Sequence, residues 1–160
     1  KYYREAFGIH ASTAILFNHE SPRRTPEYVT RKITQSVARI SLGQQDKLVL
    51  GDLSARIDWG YAKEYMEAAW TMLQQDEADD YVIGTGEAHS VQDFVDAAFS
   101  SVGLDSADYV ETSQEFFRPT KTSTLIADTT KAKEAFGFEC KNRFNELVKL
   151  MVEADIERER

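Results

Sequence analysis

A short apolar run near the front of the chain ends abruptly in side chains that could bind a charged ligand. Residues 15–17 are apolar, and residues 18–24 read Asn-His-Glu-Ser-Pro-Arg-Arg. In open α/β sheets, a strand that ends in this way delivers its last side chains to a crevice, and ligands bind in that crevice. Because arginine presents a planar fork of N–H donors, the adjacent Arg23 and Arg24 predict a ligand that carries phosphate or carboxylate.

The composition of the chain limits the kinds of protein that it can encode. The chain has 160 residues, of which 42% are hydrophobic and 29% are charged, as is typical of one globular domain. Its net charge of −8 at pH 7 argues against a nucleic-acid partner. No apolar run approaches the roughly 20 residues of a membrane span, so we expect no membrane partner either.

Cysteine usage favours a reducing compartment. Cys140 is the single cysteine of the sequence, which excludes an internal disulfide and a zinc site built from several cysteines. We therefore expect a structural or surface thiol, no metal site and a cytoplasmic location.

The elements that must position the polar cluster begin with a helix end and a strand. Residues 1–8 read as the last two turns of a helix that stops at a glycine. Since no start signal or initiating Met precedes them, we expect a piece of a longer protein. Residues 11–17 are nearly continuous in apolar and small side chains, which predicts a strand buried on both faces. Thr25 is the predicted N-cap of the next helix, with Pro26 at its first position and Leu42 near its end.

The rest of the sequence continues this alternation of strands and helices. Ser90 and Asp93 have the spacing of a capping box, and the charged tail of the last helix is expected to fray. The periodicity predicts strands over residues 47–50, 56–59, 81–83 and 109–110, and helices around residues 65–73, 91–102, 128–137 and 144–152. The alternation defines an α/β protein.

Several motifs together resemble one family of nucleotide-sugar enzymes. The string over residues 18–24, followed by Tyr-Val-Thr-Arg-Lys-Ile over residues 28–33, is similar to the GDP-mannose 4,6-dehydratases, which are extended short-chain dehydrogenases/reductases. The resemblance covers nearly the whole chain. It continues through Leu-Gly-Asp-Leu at 50–53, Asp-Trp-Gly at 58–60, Ala-Lys-Glu-Tyr at 62–65, Thr-Gly-Glu-Ala-His-Ser-Val at 85–91, Arg-Pro-Thr at 118–120 and Thr-Lys-Ala at 130–132.

The resemblance implies the last elements of a Rossmann-type parallel sheet plus a small α/β substrate-binding domain. Residues 1–43 and about 60–86 would contribute late Rossmann elements, and residues 44–59 and 87–160 would form mainly the substrate domain. Family members carry a Gly-rich phosphate loop and their catalytic Thr or Ser, Glu and Tyr-x-x-x-Lys in a preceding Rossmann half, which is absent here. We therefore expect no catalytic residue in this chain and no activity from the chain alone.

For the intact protein, the resemblance implies an NADP-dependent lyase of GDP-fucose biosynthesis. It would convert GDP-mannose to GDP-4-keto-6-deoxymannose with internal hydride transfer, and it would be a homo-oligomer, either a dimer or a tetramer. Two alternatives remain open at this point. One is a dehydratase, epimerase or reductase of another nucleotide sugar, and the other is a noncatalytic binding or assembly module.

The resemblance also implies roles for individual residues. His19 and Arg24 would contact the NADP cofactor, and Lys32 and Arg118 would converge on the diphosphate of the substrate. Arg23 would lie either near the cofactor or only at a subunit interface. The substrate-binding residues would be Asn18, Val29, Lys32, Gly51, Arg56, Arg118 and Lys121.

Two positions depart from the family pattern. Extended members usually place an arginine directly before the Asp of the Asp-Trp pair, whereas this chain has Ile57 there and Arg56 one residue earlier. Adjacent strand residues point to opposite faces, so Arg56 replaces the missing cation only if the backbone bends. Lys121 stands where the family has an acidic residue. Both changes lie in the part of the site that would hold the nucleotide.

Some of these residues also have simpler interpretations. Tyr28 and Lys32 match Tyr-x-x-x-Lys, a spacing that places two side chains on one helical face, but the pattern is common by chance. A histidine that ends a buried strand often serves only the fold, and an asparagine there can satisfy backbone groups. For Glu20 we expect a local cap or ion pair and no catalytic role.

Overall fold

The structure is a computed structural model, and it describes residues 1–116 and 124–160. Within those residues, helices alternate with short strands, which confirms the predicted α/β class. The α-helices are α1 (Tyr2–Phe7), α2 (Val29–Ser41), α3 (Ala62–Met72), α4 (Val91–Ser100), α5 (Thr130–Phe136) and α6 (Phe144–Glu159). The strands are β1 (Thr13–Leu16), β2 (Asn18–Glu20), β3 (Leu48–Leu50), β4 (Arg56–Ile57), β5 (Trp59–Tyr61), β6 (Asp80–Ile83), β7 (His89–Ser90) and β8 (Val110–Thr112).

The strands pair mostly in parallel, as expected for the end of a Rossmann-type sheet. In the described residues, β1 pairs with β6, β2 with β5, and β3 with β8, all in parallel. The short pair β4–β7 is antiparallel. None of the helices described is both long enough and apolar enough to cross a membrane.

Two groups of buried side chains form the interior. The first core joins α2, α4 and α6 with β3 and Trp59, and the second core joins α3 and β6 with buried residues between 132 and 140. Helix α2 therefore packs with elements assigned to the substrate domain, while Phe138 and Cys140 pack with elements assigned to the Rossmann part. The division of the chain into domains stays a prediction.

Helix α2 begins three residues later than the sequence predicts. Thr25 is not its N-cap; the N–H of Tyr28 donates to the Thr25 carbonyl at 3.2 Å and closes a separate turn. Pro26 then occupies the second position of that turn, where its fixed φ is favourable. Tyr28 has an extended backbone and becomes the N-cap, so the first helical residue is Val29.

The first strand is also less buried than predicted. On one face, Ala14 and Leu16 pack against the second core, but Ile15 on the other face is 52% exposed. Among the described residues only β6 pairs with this strand, and Thr13, on the same face as Ile15, is also exposed. After Phe17 the chain stays extended and changes partners, because β2 pairs with β5 instead of β6.

Other local predictions agree with the structure, with one exception at the C-terminus. The capping box is present, since Ser90 accepts from the Asp93 N–H and the Asp93 carboxylate accepts from the Ser90 N–H. Gly8 and Gly137 end α1 and α5 with positive φ angles of 63° and 71°. The tail of α6 does not fray before Glu159, because Asp155 in its last turns is buried against α2.

Candidate functional site

The polar cluster of residues 18–24 begins as strand β2, beside strand β5. The register pairs Asn18 with Trp59, His19 with Gly60 and Glu20 with Tyr61. Asn18 is exposed, His19 is half-buried and Glu20 is buried. Asn18 and His19 are therefore accessible from the surface, whereas Glu20 holds the segment to the interior.

One ring nitrogen of His19 is already engaged by the backbone. His19 Nδ1 lies 2.9 Å from the carbonyl oxygen of Phe17. Because a carbonyl can only accept, Nδ1 carries the hydrogen, and in the neutral imidazole Nε2 is left as an acceptor. The ring packs 5.6 Å from the ring of buried Tyr65. A Cβ on Gly60 would collide with that tyrosine ring, so the glycine leaves room for Tyr65 to lie beside His19.

Glu20 organises the base of the cluster. Its Oε2 accepts a hydrogen bond of 2.7 Å from the Thr30 hydroxyl and lies 3.4 Å from Nε of Arg24. Burial raises the pKa of Glu20, while the bond from Thr30 and the charge of Arg24 act in the opposite direction. The expected local pairing of Glu20 is confirmed. The Arg24 guanidinium also lies over the Tyr28 ring, 3.5 Å from its centroid.

The donor set of this cluster fits a phosphorylated cofactor. Arg24 is only 26% exposed at its side chain, and its buried Nε has no hydrogen-bond partner. Because the buried Nε faces Glu20, phosphate oxygens would bind at the two Nη groups of this guanidinium. His19 adds an acceptor at Nε2 one residue before Glu20. These are the two residues for which the family resemblance implies cofactor contacts.

A second group of predicted site residues meets at the end of β3. Lys32 Nζ donates to the Val49 carbonyl at 2.7 Å and lies 4.4 Å from the centroid of the Phe116 ring. Gly51 lies directly against the backbone of Phe116, and a Cβ there would overlap it. The structure thus brings Lys32 and Gly51 together beside Phe116. Val29, the first residue of α2, packs on the first core.

The remaining predicted residues are less informative. Arg56 Nη2 donates to the Ala88 carbonyl at 2.5 Å, so this hydrogen bond links β4 to the residue that precedes β7. Ile57 points to the first core and packs against it. Arg118 and Lys121 lie outside the described residues, as does the predicted meeting of Lys32 with Arg118. The role of Arg56 stays a prediction.

The structure separates the two members of the Tyr-x-x-x-Lys pattern. The Tyr28 ring is covered by Arg24, whereas the Lys32 ammonium group donates to Val49. The two side chains therefore have different partners, and the pattern gives no sign of a proton-transfer pair.

Sequence reasoning missed a buried carboxylate that joins three segments. Asp58 accepts from the N–H groups of Thr85, Gly86 and Ala127 at 3.0–3.1 Å and from the Thr85 hydroxyl at 2.5 Å. It links the start of β5 to the turn after β6 and to the chain that follows residue 123. The available signal was an acidic residue inside an otherwise extended segment.

One groove in the described residues lies away from these clusters. It has a volume of about 820 Å³ and runs between α4 and the start of α6, where the His89 ring stacks on Phe144 at 3.8 Å. None of the residues predicted to bind substrate or cofactor lines it. The groove is shallow and open. We therefore place the candidate site at β2, where the donor and acceptor groups lie close together.

The fold is that of extended short-chain dehydrogenases/reductases. The structure of RMD from Pseudomonas aeruginosa, complexed with NADPH, matches with a TM-score of 0.88 at 16% identity, over 98% of this chain and 52% of that chain. The dTDP-glucose 4,6-dehydratase of Bacillus anthracis, in complex with NAD, matches with a TM-score of 0.81 at 19% identity, over 98% and 48% of the two chains. At these identities the likeness establishes the architecture.

Sequence comparison defines the family. The profile of the GDP-mannose 4,6 dehydratase family matches residues 1–151, and the chain belongs to that family. It is 52% identical to GDP-mannose 4,6 dehydratase 1 of Arabidopsis thaliana, over 97% of this chain and 43% of that protein. It is 44% identical to the Homo sapiens GDP-mannose 4,6 dehydratase, over 97% of this chain and 46% of that protein. The chain thus spans less than half the length of these relatives.

Proposed function

We propose that the intact protein is an NADP-dependent GDP-mannose 4,6-dehydratase, a lyase that yields GDP-4-keto-6-deoxymannose. The observation that carries this proposal is the arrangement at β2, where His19 and Arg24 present an acceptor and a cation from one seven-residue string. Membership of the family supports the same assignment. The chain described here would contribute binding groups, and we assign none of its residues a catalytic role.

In this proposal, His19 and Arg24 hold the cofactor. NADP held by these residues would supply reversible hydride transfer to and from the sugar and would end unchanged. Arg24 would bind a phosphate oxygen with its planar guanidinium, and the Tyr28 ring and Glu20 keep that group in place. His19 Nε2 would accept a hydrogen bond, because the Phe17 carbonyl fixes the proton on Nδ1.

The substrate would lie against Asn18, at the start of β2, and against the end of β3. Asn18 is exposed at the start of β2, where its amide can donate and accept at once. Lys32 extends from α2 toward β3 and donates one N–H to the Val49 carbonyl, which leaves two N–H donors for a diphosphate. Val29, Gly51, Arg56, Arg118 and Lys121 complete the proposed substrate contacts.

The proposal extends to assembly and location. Arg23 and Arg24 sit on a turn between a strand and a helix, and two adjacent cations there favour contact with anions or with a neighbouring subunit. We therefore propose a closed homo-oligomer, a dimer or a tetramer, in a reducing cytoplasm. Light scattering of the intact protein measures the assembly directly, and a monomer with and without NADP would contradict this part of the proposal.

The reaction is tested by incubating the intact protein with GDP-mannose and NADP and following water loss from the sugar by mass spectrometry. UDP- and dTDP-sugars serve as competitors. Turnover of GDP-mannose alone supports the proposal, turnover of another nucleotide sugar reassigns the substrate, and binding without turnover indicates a noncatalytic module.

Lys32→Ala tests the substrate site. A charge-assisted contact contributes about 1.5–3 kcal/mol, so the variant should bind GDP-mannose at least about tenfold more weakly. Lys149→Ala is the matched control, because Lys149 lies exposed on α6 and pairs with Glu153 of the same helix. Equal affinity of the Lys32 variant and the control would refute the assignment of Lys32.

A further inference from the structure

We propose that Arg158, near the end of α6, is a positioning residue for Arg24 and acts through the carbonyl group of Pro22. The inference rests on the proposed cofactor role of Arg24. Residues 152–160 lie beyond the part of the chain that the family profile matches, so nothing in that match assigns Arg158 a function.

The anchor of this arrangement is a buried carboxylate on α6. Asp155 is 1% exposed, and its oxygens are held from α2 by Arg31 Nη2 at 2.7 Å and by the Thr34 hydroxyl at 2.7 Å. Both partners are themselves buried. Because α2 and α6 pack along each other, the position of this carboxylate is fixed by the first core.

Arg158 connects that anchor to the turn that carries the paired arginines. Its Nη1 lies 3.3 Å from Asp155 Oδ1 and donates to the Pro22 carbonyl at 2.5 Å. Pro22 and Arg23 are the central residues of a turn closed by the Arg24 N–H, which donates to the Ser21 carbonyl at 3.0 Å. The Pro22 carbonyl belongs to the central peptide of this turn, so Arg158 fixes the orientation of that peptide.

Two routes connect this turn to α2, one through Glu20 and one through Asp155 and Arg158. Thr30 holds Glu20, which precedes the turn, and Thr34, one helical turn further along α2, holds Asp155. Glu20 contacts Arg24 directly, whereas Asp155 reaches the turn only through Arg158. If Arg158 is removed, Glu20 keeps its contacts with Thr30 and Arg24, but the Pro22 carbonyl loses its hydrogen bond from α6. Arg24 then samples more orientations before it binds a phosphate.

Removal of Arg158 should leave the fold intact. Its side chain is 46% exposed, and Asp155 keeps its ion pair with Arg31 and its hydrogen bond from Thr34. A structural defect and a positioning defect can therefore be told apart in the same variant.

The test measures the affinity of the intact protein for NADP by calorimetry, together with the melting temperature. Loss of one hydrogen bond that orders the turn should weaken NADP binding about fivefold for Arg158→Ala, while the melting temperature without NADP stays within about 2 °C of the parent. KM for GDP-mannose should not change. Arg160→Ala is the matched control, since it removes the same charge from the helix end and should leave NADP affinity unchanged.

A double-variant cycle identifies the route through Arg24. If Arg158 acts through Arg24, then Arg158→Ala has no further effect on NADP affinity once Arg24→Ala is present. Equal losses in both backgrounds, or an Arg158→Ala affinity equal to that of the control, would overturn the inference. If Arg24→Ala itself binds NADP as the parent does, the proposed cofactor role fails instead, and the inference fails with it.

Discussion

The bonds to Asp58 give the most direct test of how the site is held together. Its two carboxylate oxygens accept four hydrogen bonds, two from Thr85 on Oδ1 and one each from the N–H groups of Gly86 and Ala127 on Oδ2. The side chain is 2% exposed, so water cannot replace these partners. Asp58→Asn preserves the shape of the side chain but turns one acceptor atom into a donor.

The magnitude follows from which bonds the amide can keep. In its better orientation, the asparagine oxygen faces Gly86 and Ala127, and the NH₂ group donates to the Thr85 hydroxyl. The Thr85 N–H then loses its acceptor, and the two remaining backbone bonds lose the negative charge. An unsatisfied buried donor costs about 1–3 kcal/mol, and each of the two remaining bonds loses about 1 kcal/mol with the charge, so the variant should lose about 3–5 kcal/mol of stability.

The assay is equilibrium urea unfolding of the intact protein. Asp128→Asn is the matched control, because Asp128 is exposed and accepts one N–H, from Thr130. The control should change the free energy of unfolding by less than about 1 kcal/mol. If Asp58→Asn is no less stable than the control, the four bonds to Asp58 do not stabilise the fold.

Two further predictions concern the second core and its edge. Asp80 forms an ion pair with Arg4 that lowers the pKa of its carboxyl from 3.8 to about 2; this stabilisation is present above pH 4 and is lost as the pH falls through 2. Asp80→Asn should therefore lower the melting temperature much more at pH 5 than at pH 2, and an equal loss at both pH values would contradict the pairing. Gly60→Ala should displace the Tyr65 ring that packs beside His19 and destabilise the protein by about 1–3 kcal/mol. A melting temperature unchanged from the parent would show that the ring does not need that space.

Local signals predicted most elements because each depends on a few adjacent residues. The capping box at Ser90 and the glycines that end α1 and α5 are of this kind. The predicted start of α2 was wrong for a related reason. Thr25 and Pro26 suit a helix start and a turn equally well, and the choice was made by the Tyr28 N–H, which closes a turn on Thr25.

The candidate site was predictable only in part. The string at residues 18–24 could be found because its polar types follow an apolar run directly. The groups that support it could not, because Thr30, Asp155 and Arg158 lie 10 to 138 residues from Glu20 along the chain and meet it only through the packing of α2 against α6. Burial of Ile15 was overestimated, since an apolar sequence does not show which faces of a strand are covered.

The length of α6 has a practical consequence for the boundaries of the protein. The family profile stops at residue 151, yet the helix continues to Glu159, and Asp155 in that extension is the partner of buried Arg31. A chain trimmed at the end of the profile would leave the Arg31 guanidinium inside the first core without its counter-charge, a defect of about 3–5 kcal/mol. The folded chain therefore extends past the last residue that the family profile matches, and a buried ion pair four residues further on holds that extension in place.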